Sequence, residues 1–175
     1  MITIATKQDA REILDIYAYY VNHTAITFEY RPPALSEFEN FIDTTLQRYP
    51  FLLSKNNGII EGYAYAKSFI NRPAYDWSAE VTIYLKHDKR RAGLGRALYE
   101  ALEKTLSLQH FINLSACIAY PQAEDEYLTK NSVRFHEHMG YRLVGEFYQC
   151  GYKFHRWYNM VWMEKHLSPH PPLPL

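Results

Sequence analysis

Apolar residues along this chain switch between a spacing of three to four and strict alternation, and the switches divide it into helices and strands. Residues 1–5 are short and β-rich and read as a strand. Thr6, with Asp9 three positions later, can open a helix on which Ile13, Leu14, Ile16, Tyr17 and Tyr20 fall at helical spacing. Residues 22–33 read as a loop ended by Pro32 and Pro33. Ser36 and Glu39 form a stronger capping box and predict a second helix to about Arg48. Residues 51–54 and 59–70 are predicted strands, joined at Asn56-Asn57-Gly58, where the residue types supply the positive φ angles of a tight hairpin. Residues 77–85 alternate, with Val81, Ile83 and Leu85 on one face and Glu80, Thr82 and Tyr84 on the other.

Leu94, Leu98, Ala101, Leu102, Thr105 and Leu106 form the inward stripe of a helix over 94–108. A strand over 111–119 follows, then a helix over 131–139 closed by Gly140, then strands over 141–149 and 153–163. The order β α α β β β α β α β β predicts an α/β (α+β) domain, a mixed sheet covered by helices. One domain is expected over 1–166, with 167–175 as a loose proline-rich tail.

Charge and cysteine content narrow the function classes. Lys plus Arg and Asp plus Glu number 19 each among 175 residues, which argues against a nucleic-acid partner held by bulk charge. Two cysteines, Cys117 and Cys150, are too few for a thiolate zinc site; they read as buried reduced thiols rather than a disulfide, and no metal is expected. The N-terminus has no signal-peptide pattern and no window is apolar enough to span a bilayer, so a cytoplasmic protein without a membrane partner is expected.

The sharpest local feature is the segment Lys86 to Arg96, between a predicted strand and a predicted helix. Gly93 and Gly95 let backbone N–H groups approach a ligand closely, at a helix start where those groups lack internal partners. Lys89, Arg90, Arg91 and Arg96 add positive charge. Together they make a receptacle for a phosphate or diphosphate. No G-x-x-x-x-G-K-[ST] is present, and Leu98 stands where a dinucleotide fingerprint needs its third glycine.

Arg90-Arg-Ala-Gly-Leu-Gly95 resembles the R/Q-x-x-G-x-G/A element of the GNAT acetyltransferase superfamily. Asn131-Ser-Val-Arg-Phe-His-Glu-His-Met-Gly-Tyr141 is similar to that family's late helix and following strand. The stretches 24–29, 72–80 and 151–159 resemble the phosphinothricin and methionine-sulfoximine acetyltransferases, so the likeness runs from about Ile2 to Lys165. It implies the GNAT fold, a mostly antiparallel twisted sheet of six to seven strands with about four helices, and acetyl-CoA as co-substrate. Two departures stand out. Residues 120–130 are longer than usual and carry Gln122, Glu124, Asp125 and Glu126, and Thr129 replaces a common asparagine that Asn131 can substitute.

Acetyl transfer to an amine needs a base, a donor for the developing oxyanion and an exit for the thiolate. The resemblance gives Glu80 as a base acting through water, backbone N–H groups near Ile83, Tyr84 and Leu85 as the oxyanion donor, and His136 at the position of a general acid. It implies a cofactor loop of Arg90, Arg91, Ala92, Gly93, Leu94, Gly95 and Arg96, helped by Asn131 and Ser132. Arg72 would clamp a substrate carboxylate, and Phe28, Glu29, Tyr75 and Trp77 would line the pocket. The expected acceptor is a small amino-acid-like amine, and a homodimer accords with such relatives. A protein N-terminal or lysine acetyltransferase, a non-catalytic CoA-binding module, and nucleotide binding without transfer stay open as alternatives.

Overall fold

The computed structural model describes residues 1–89 and 93–172. Seven strands and four α-helices follow the predicted order: β1 (Ile2–Ile4), α1 (Ala10–His23), α2 (Leu35–Leu46), β2 (Phe51–Asn56), β3 (Ile59–Ser68), β4 (Ser78–Leu85), α3 (Leu94–Leu108), β5 (Asn113–Tyr120), α4 (Asn131–His138), β6 (Arg142–Lys153) and β7 (Arg156–His166). They form one sheet of order β1-β2-β3-β4-β5-β7-β6. Every neighbouring pair is antiparallel except β4–β5.

Strand alternation sorts side chains to two faces, and each face takes its own helices. On one, Phe51, Leu53, Ile60 and Tyr63 are buried beneath Ile13, Leu14, Ile16 and Tyr20 of α1 and Phe38 and Ile42 of α2. On the other, Ala64, Ala66, Ala79, Val81, Leu114, Ala116 and Met163 meet Leu98, Tyr99, Leu102 and Leu106 of α3. A third, smaller cluster, Ala25, Ala119, Leu128 and Tyr158, sits below the α1–α2 loop.

The expected turn chemistry holds at the β2–β3 hairpin, where Asn57 and Gly58 have φ of 49° and 83°. Thr6 donates both its N–H and its hydroxyl to Asp9 Oδ2 (2.9 and 2.8 Å), opening a short 3-10 turn that runs into α1. The start of α2 differs from the prediction. The helix begins at Leu35, and the reciprocal bond runs from Ala34 N–H to Glu37 Oε2 at 2.8 Å. Pro33 fixes the chain just before this point, so the helix opens as soon as the proline constraint ends, with its cap at Ala34, two residues ahead of Ser36.

Three other expectations are corrected. Both cysteines are exposed rather than buried. Cys117 lies on the stretch of β5 that α1 and α2 do not cover, and Cys150 falls in the irregular part of β6, where pairing with β7 shifts between Phe147 and Gly151. The start of the tail is docked: Leu167 N–H donates to Ile112 O at 2.8 Å, and a hydrogen bond of 2.8 Å joins His170 Nε2 to Asn113 Oδ1. Leu173, Pro174 and Leu175 lie outside the described residues. Strands β6 and β7 are longer than predicted and meet at Phe154 and His155, whose positive φ values (51° and 61°) make a tight turn without glycine. Among the described residues no helix is long and apolar enough to cross a membrane, and no group of three metal-ligating side chains comes together.

Candidate functional site

The site begins where two parallel strands part. β4 pairs with β5 only from Ser78 to Glu80, against Asn113 to Ser115, whereas its pairing with β3 continues to Leu85. Beyond Glu80 the edge of β4 that faces β5 therefore has no strand beside it, and backbone groups there are left to bind something else. Thr82, Ile83 and Tyr84 form one wall of the resulting cleft, and Cys117, Ile118 and Ala119 the other, with Tyr99, Ser132 and His136 closing it from the helices. Its volume is about 50 Å³, a narrow cleft between the two strands. Ile83, Tyr84 and Leu85 are thus where the resemblance required an open strand edge.

One end of the cleft meets the start of α3. Gly93 adopts a left-handed conformation (φ 76°), which glycine takes without cost, and the first helical bond runs from Ala97 N–H to Gly93 O at 3.1 Å. The N–H groups of Leu94, Gly95 and Arg96 therefore lack intrahelical acceptors. Gly95 is required by packing as well: a Cβ there would stand 3.1 Å from Phe135 Cε2, so its absence lets α4 lie close to α3. Arg96 is exposed, its guanidinium 3.9 Å from Glu100. Arg90, Arg91 and Ala92, expected in this loop, lie outside the described residues. Bare amides, helix dipole and thin cleft fit a diphosphate joined to a narrow arm, which is the shape of coenzyme A.

Glu80 stands at the parting point, the last residue of β4 paired to β5. Its Oε1 lies 3.1 Å from Lys67 Nζ. Across the gap is Cys117; the residue is exposed overall, but the cleft walls take water from its thiol and, with the negative charge of Glu80, push it up to about 11, so it stays protonated and is no nucleophile at neutral pH.

His136 is buried on α4. Its Nδ1 lies 2.7 Å from Ser132 O, which can only accept, so Nδ1 carries the proton; Nε2 then accepts from the Tyr99 hydroxyl at 2.8 Å. Burial drops its pKa to about 4, with the Ser132 bond opposing. The ring is therefore neutral, and its one N–H is committed to Ser132. The ring holds Tyr99 and Ser132 in the cleft wall.

The loop after α1 forms the opposite rim. Phe28 packs so closely on Gly151 that a Cβ there would lie 2.3 Å from the ring. Lys153, buried at the end of β6, donates to Thr27 O at 2.8 Å, and burial lowers its pKa to about 8, partly offset by the charge of Glu29. Residues 120–130 clamp this rim. Ala25 N–H donates to Tyr127 O at 3.0 Å, and Tyr127 stacks on Phe154 at 4.2 Å. Arg156 bridges Asp125 and Glu126 at 2.9 and 2.8 Å, and the Tyr158 hydroxyl donates to Asp125 Oδ2 at 2.9 Å.

The predicted pocket residues do not all converge. Phe28 and Glu29 lie on the rim. Arg72 and Tyr75 are exposed in the β3–β4 loop, where Tyr75 meets Phe69 (5.9 Å) and Phe69 meets Trp162 on β7 (5.5 Å). Trp77 falls on the opposite strand face from Glu80 and lines a separate hollow with Arg48, Gln109 and Phe111. Asn131 is exposed at the start of α4, its Oδ1 accepting from Arg134 at 3.3 Å. Sequence reasoning missed Lys67, Tyr99 and Lys153. The one signal for Lys153 was a lysine set between Tyr152 and Phe154.

Comparison with known proteins agrees with this geometry. The family model described as an acetyltransferase (GNAT) domain matches residues 2–162. A phosphinothricin N-acetyltransferase of Streptomyces viridochromogenes is 33% identical over 172 residues, covering 98% of this chain and 90% of that protein. The L-methionine sulfoximine/L-methionine sulfone acetyltransferase of Salmonella typhimurium is 26% identical, covering 97% and 95%. The crystal structure of a phosphinothricin acetyltransferase from Sinorhizobium meliloti in complex with acetyl-CoA superposes with a TM-score of 0.88 at 29% identity, covering 96% of this chain and 88% of that one. With an open strand edge leading to a glycine-started helix, and a sequence matched almost end to end, this chain belongs to the GNAT superfamily of acetyl-CoA-dependent N-acetyltransferases.

Proposed function

We propose that the chain transfers acetyl from acetyl-CoA to the primary amine of a small amino-acid-like acceptor, of the phosphinothricin or methionine-sulfoximine type, by direct attack with Glu80 as a base acting through water. The observation carrying this reading is the position of Glu80 at the point where β4 and β5 separate. An acceptor amine there gives its proton through water to Glu80 and attacks the thioester carbonyl carbon. The C–N bond forms, the C–S bond breaks, and N–H groups of the Ile83 to Leu85 edge take the oxyanion. A thiolate is a far better leaving group than an amine, so it departs without a dedicated acid and takes up the second amine proton through solvent. Lys67 orients the Glu80 carboxylate. Arg72, in the exposed β3–β4 loop, meets the acceptor carboxylate, and Phe28 and Glu29 close over it. The cofactor loop, with Asn131 and Ser132, holds the donor.

The acids of 120–130 support a small acceptor over a protein one. Asp125 and Glu126 are spent on Arg156 and do not form an acidic peptide groove. Leu143, Val144, Phe147, Tyr148 and Trp157 expose apolar surface on β6 and β7, which favours a homodimer across that edge; a particle of 20.7 kDa by light scattering at micromolar concentration would contradict it. Cytoplasmic residence follows from the donor, which is made there.

Glu80→Gln tests the mechanism. Thiol release should fall about 10²- to 10⁴-fold in kcat at neutral pH while the circular dichroism spectrum is unchanged. Undiminished turnover would remove Glu80 from the reaction.

A further inference from the structure

A second cavity, outside the donor cleft, opens on the face of the sheet that carries Glu80. It holds about 220 Å³ between α1, α2 and β3, lined by Tyr17, Phe38, Phe41, Tyr63 and Tyr65 with Pro33 and Glu37. Five aromatic rings surround it, and an apolar cavity of about 150 Å³ is already enough to take a benzene ring. Its floor carries a polar group. Tyr63 is 1% exposed overall and lines the cavity. A ligand atom that reached its hydroxyl would add one hydrogen bond.

The cavity is also in line with the reacting centre. Tyr63, Tyr65 and Lys67 share one face of β3, and Lys67 pairs across to Glu80. Four residues of strand at roughly 3.3 Å each separate the Lys67 and Tyr63 positions, about 13 Å. Tyr65 is the shared wall: its ring lines the cavity, and its phenol feels both Thr82 and the charge of Glu80. An amine linked to Glu80 by one water, bearing an aryl side chain with a polar atom at its far end, covers that distance.

We infer that this aromatic cavity is the side-chain subsite of the acceptor, and that it selects aryl-bearing amino acids whose ring ends in a hydrogen-bonding atom that meets Tyr63. The inference rests on the acetyltransferase reading above and puts an aryl-bearing amino acid in place of the phosphinothricin or methionine-sulfoximine type as the preferred acceptor. L-tyrosine, L-phenylalanine and L-methionine sulfone are the probes, each followed by thiol release from acetyl-CoA. Tyrosine should have the highest kcat/KM, and the sulfone the lowest by about tenfold or more. Phe41→Trp, which fills the cavity, should lower the tyrosine-to-sulfone ratio of kcat/KM about tenfold, mostly through KM. Tyr63→Phe keeps the shape and removes the hydroxyl, so the tyrosine-to-phenylalanine ratio should fall about two- to tenfold, the worth of one hydrogen bond. Melting temperatures identify any variant that fails to fold, and the isosteric Tyr63→Phe carries the test if Phe41→Trp does. Turnover of the sulfone alone, or ratios unmoved in Tyr63→Phe, would overturn the subsite and leave the acetyltransferase reading intact. Turnover of no amine would overturn both.

Discussion

His136 makes the protein acid-sensitive by a calculable amount. Its pKa drops from the ordinary 6.5 to about 4 because burial disfavours the imidazolium, and both ring nitrogens are already occupied by Ser132 and Tyr99. The unfolded chain binds this proton throughout the interval between those values and the folded chain does not. Stability is therefore complete above pH 6.5 and declines as pH falls toward 4. At pH 4.5 the imbalance amounts to roughly 2–3 kcal/mol, a large part of the margin of an ordinary domain. His136→Gln retains a hydrogen-bonding group and cannot ionise. Urea denaturation followed by tryptophan fluorescence, at pH 7.5 and 4.5, gives the stability of both proteins. Other carboxylates titrate in each and cancel in the difference. The stability gap between wild type and variant should move by roughly 2–3 kcal/mol toward the variant on acidification. A gap unchanged within about 0.5 kcal/mol would show that the ring is charged when folded, and would return His136 to consideration as a proton donor.

Two further expectations concern the rim. Gly151→Ala would put a Cβ 2.3 Å from the Phe28 ring and force the ring aside; because the ring can swing, the cost should fall on acceptor KM, several-fold upward, with the melting temperature little changed; steady-state kinetics beside a thermal melt would show the reverse if Phe28 is purely structural. Lys153, with its pKa lowered to about 8, binds its proton less readily folded than unfolded, so stability should rise as pH goes from 8 toward 10. Lys153→Met should abolish that rise, and a variant with the same pH slope as wild type would refute the assignment.

The element order was legible because periodicity reports which face of an element meets the core, as on α1, α3 and β4. The Asn57-Gly58 turn was legible for a local reason, its demand for positive φ. The α2 start was misplaced because two capping candidates overlap, and the residue after Pro33 decides between them. Burial of Cys117 was misjudged because a strand inside a sheet need not be covered on both faces. At the site, the glycine turn was readable as a local pattern, whereas Glu80 and Trp77 came from the family resemblance; Trp77 lines a separate hollow with Arg48, Gln109 and Phe111. Tyr99 and Lys153 were invisible because their significance comes from partners 37 and 126 residues away.

The parting of β4 from β5 also divides the protein mechanically. Only three register pairs, Ser78 to Glu80 with Asn113 to Ser115, stitch the half-sheet β1–β4 to the half-sheet β5–β7. An extended donor arm lying in the gap would supply rungs the polypeptide itself omits, so loading the enzyme and bracing its seam become a single event. Amide hydrogens along the free edges of this seam should exchange quickly in the empty protein and slow sharply once acetyl-CoA is added.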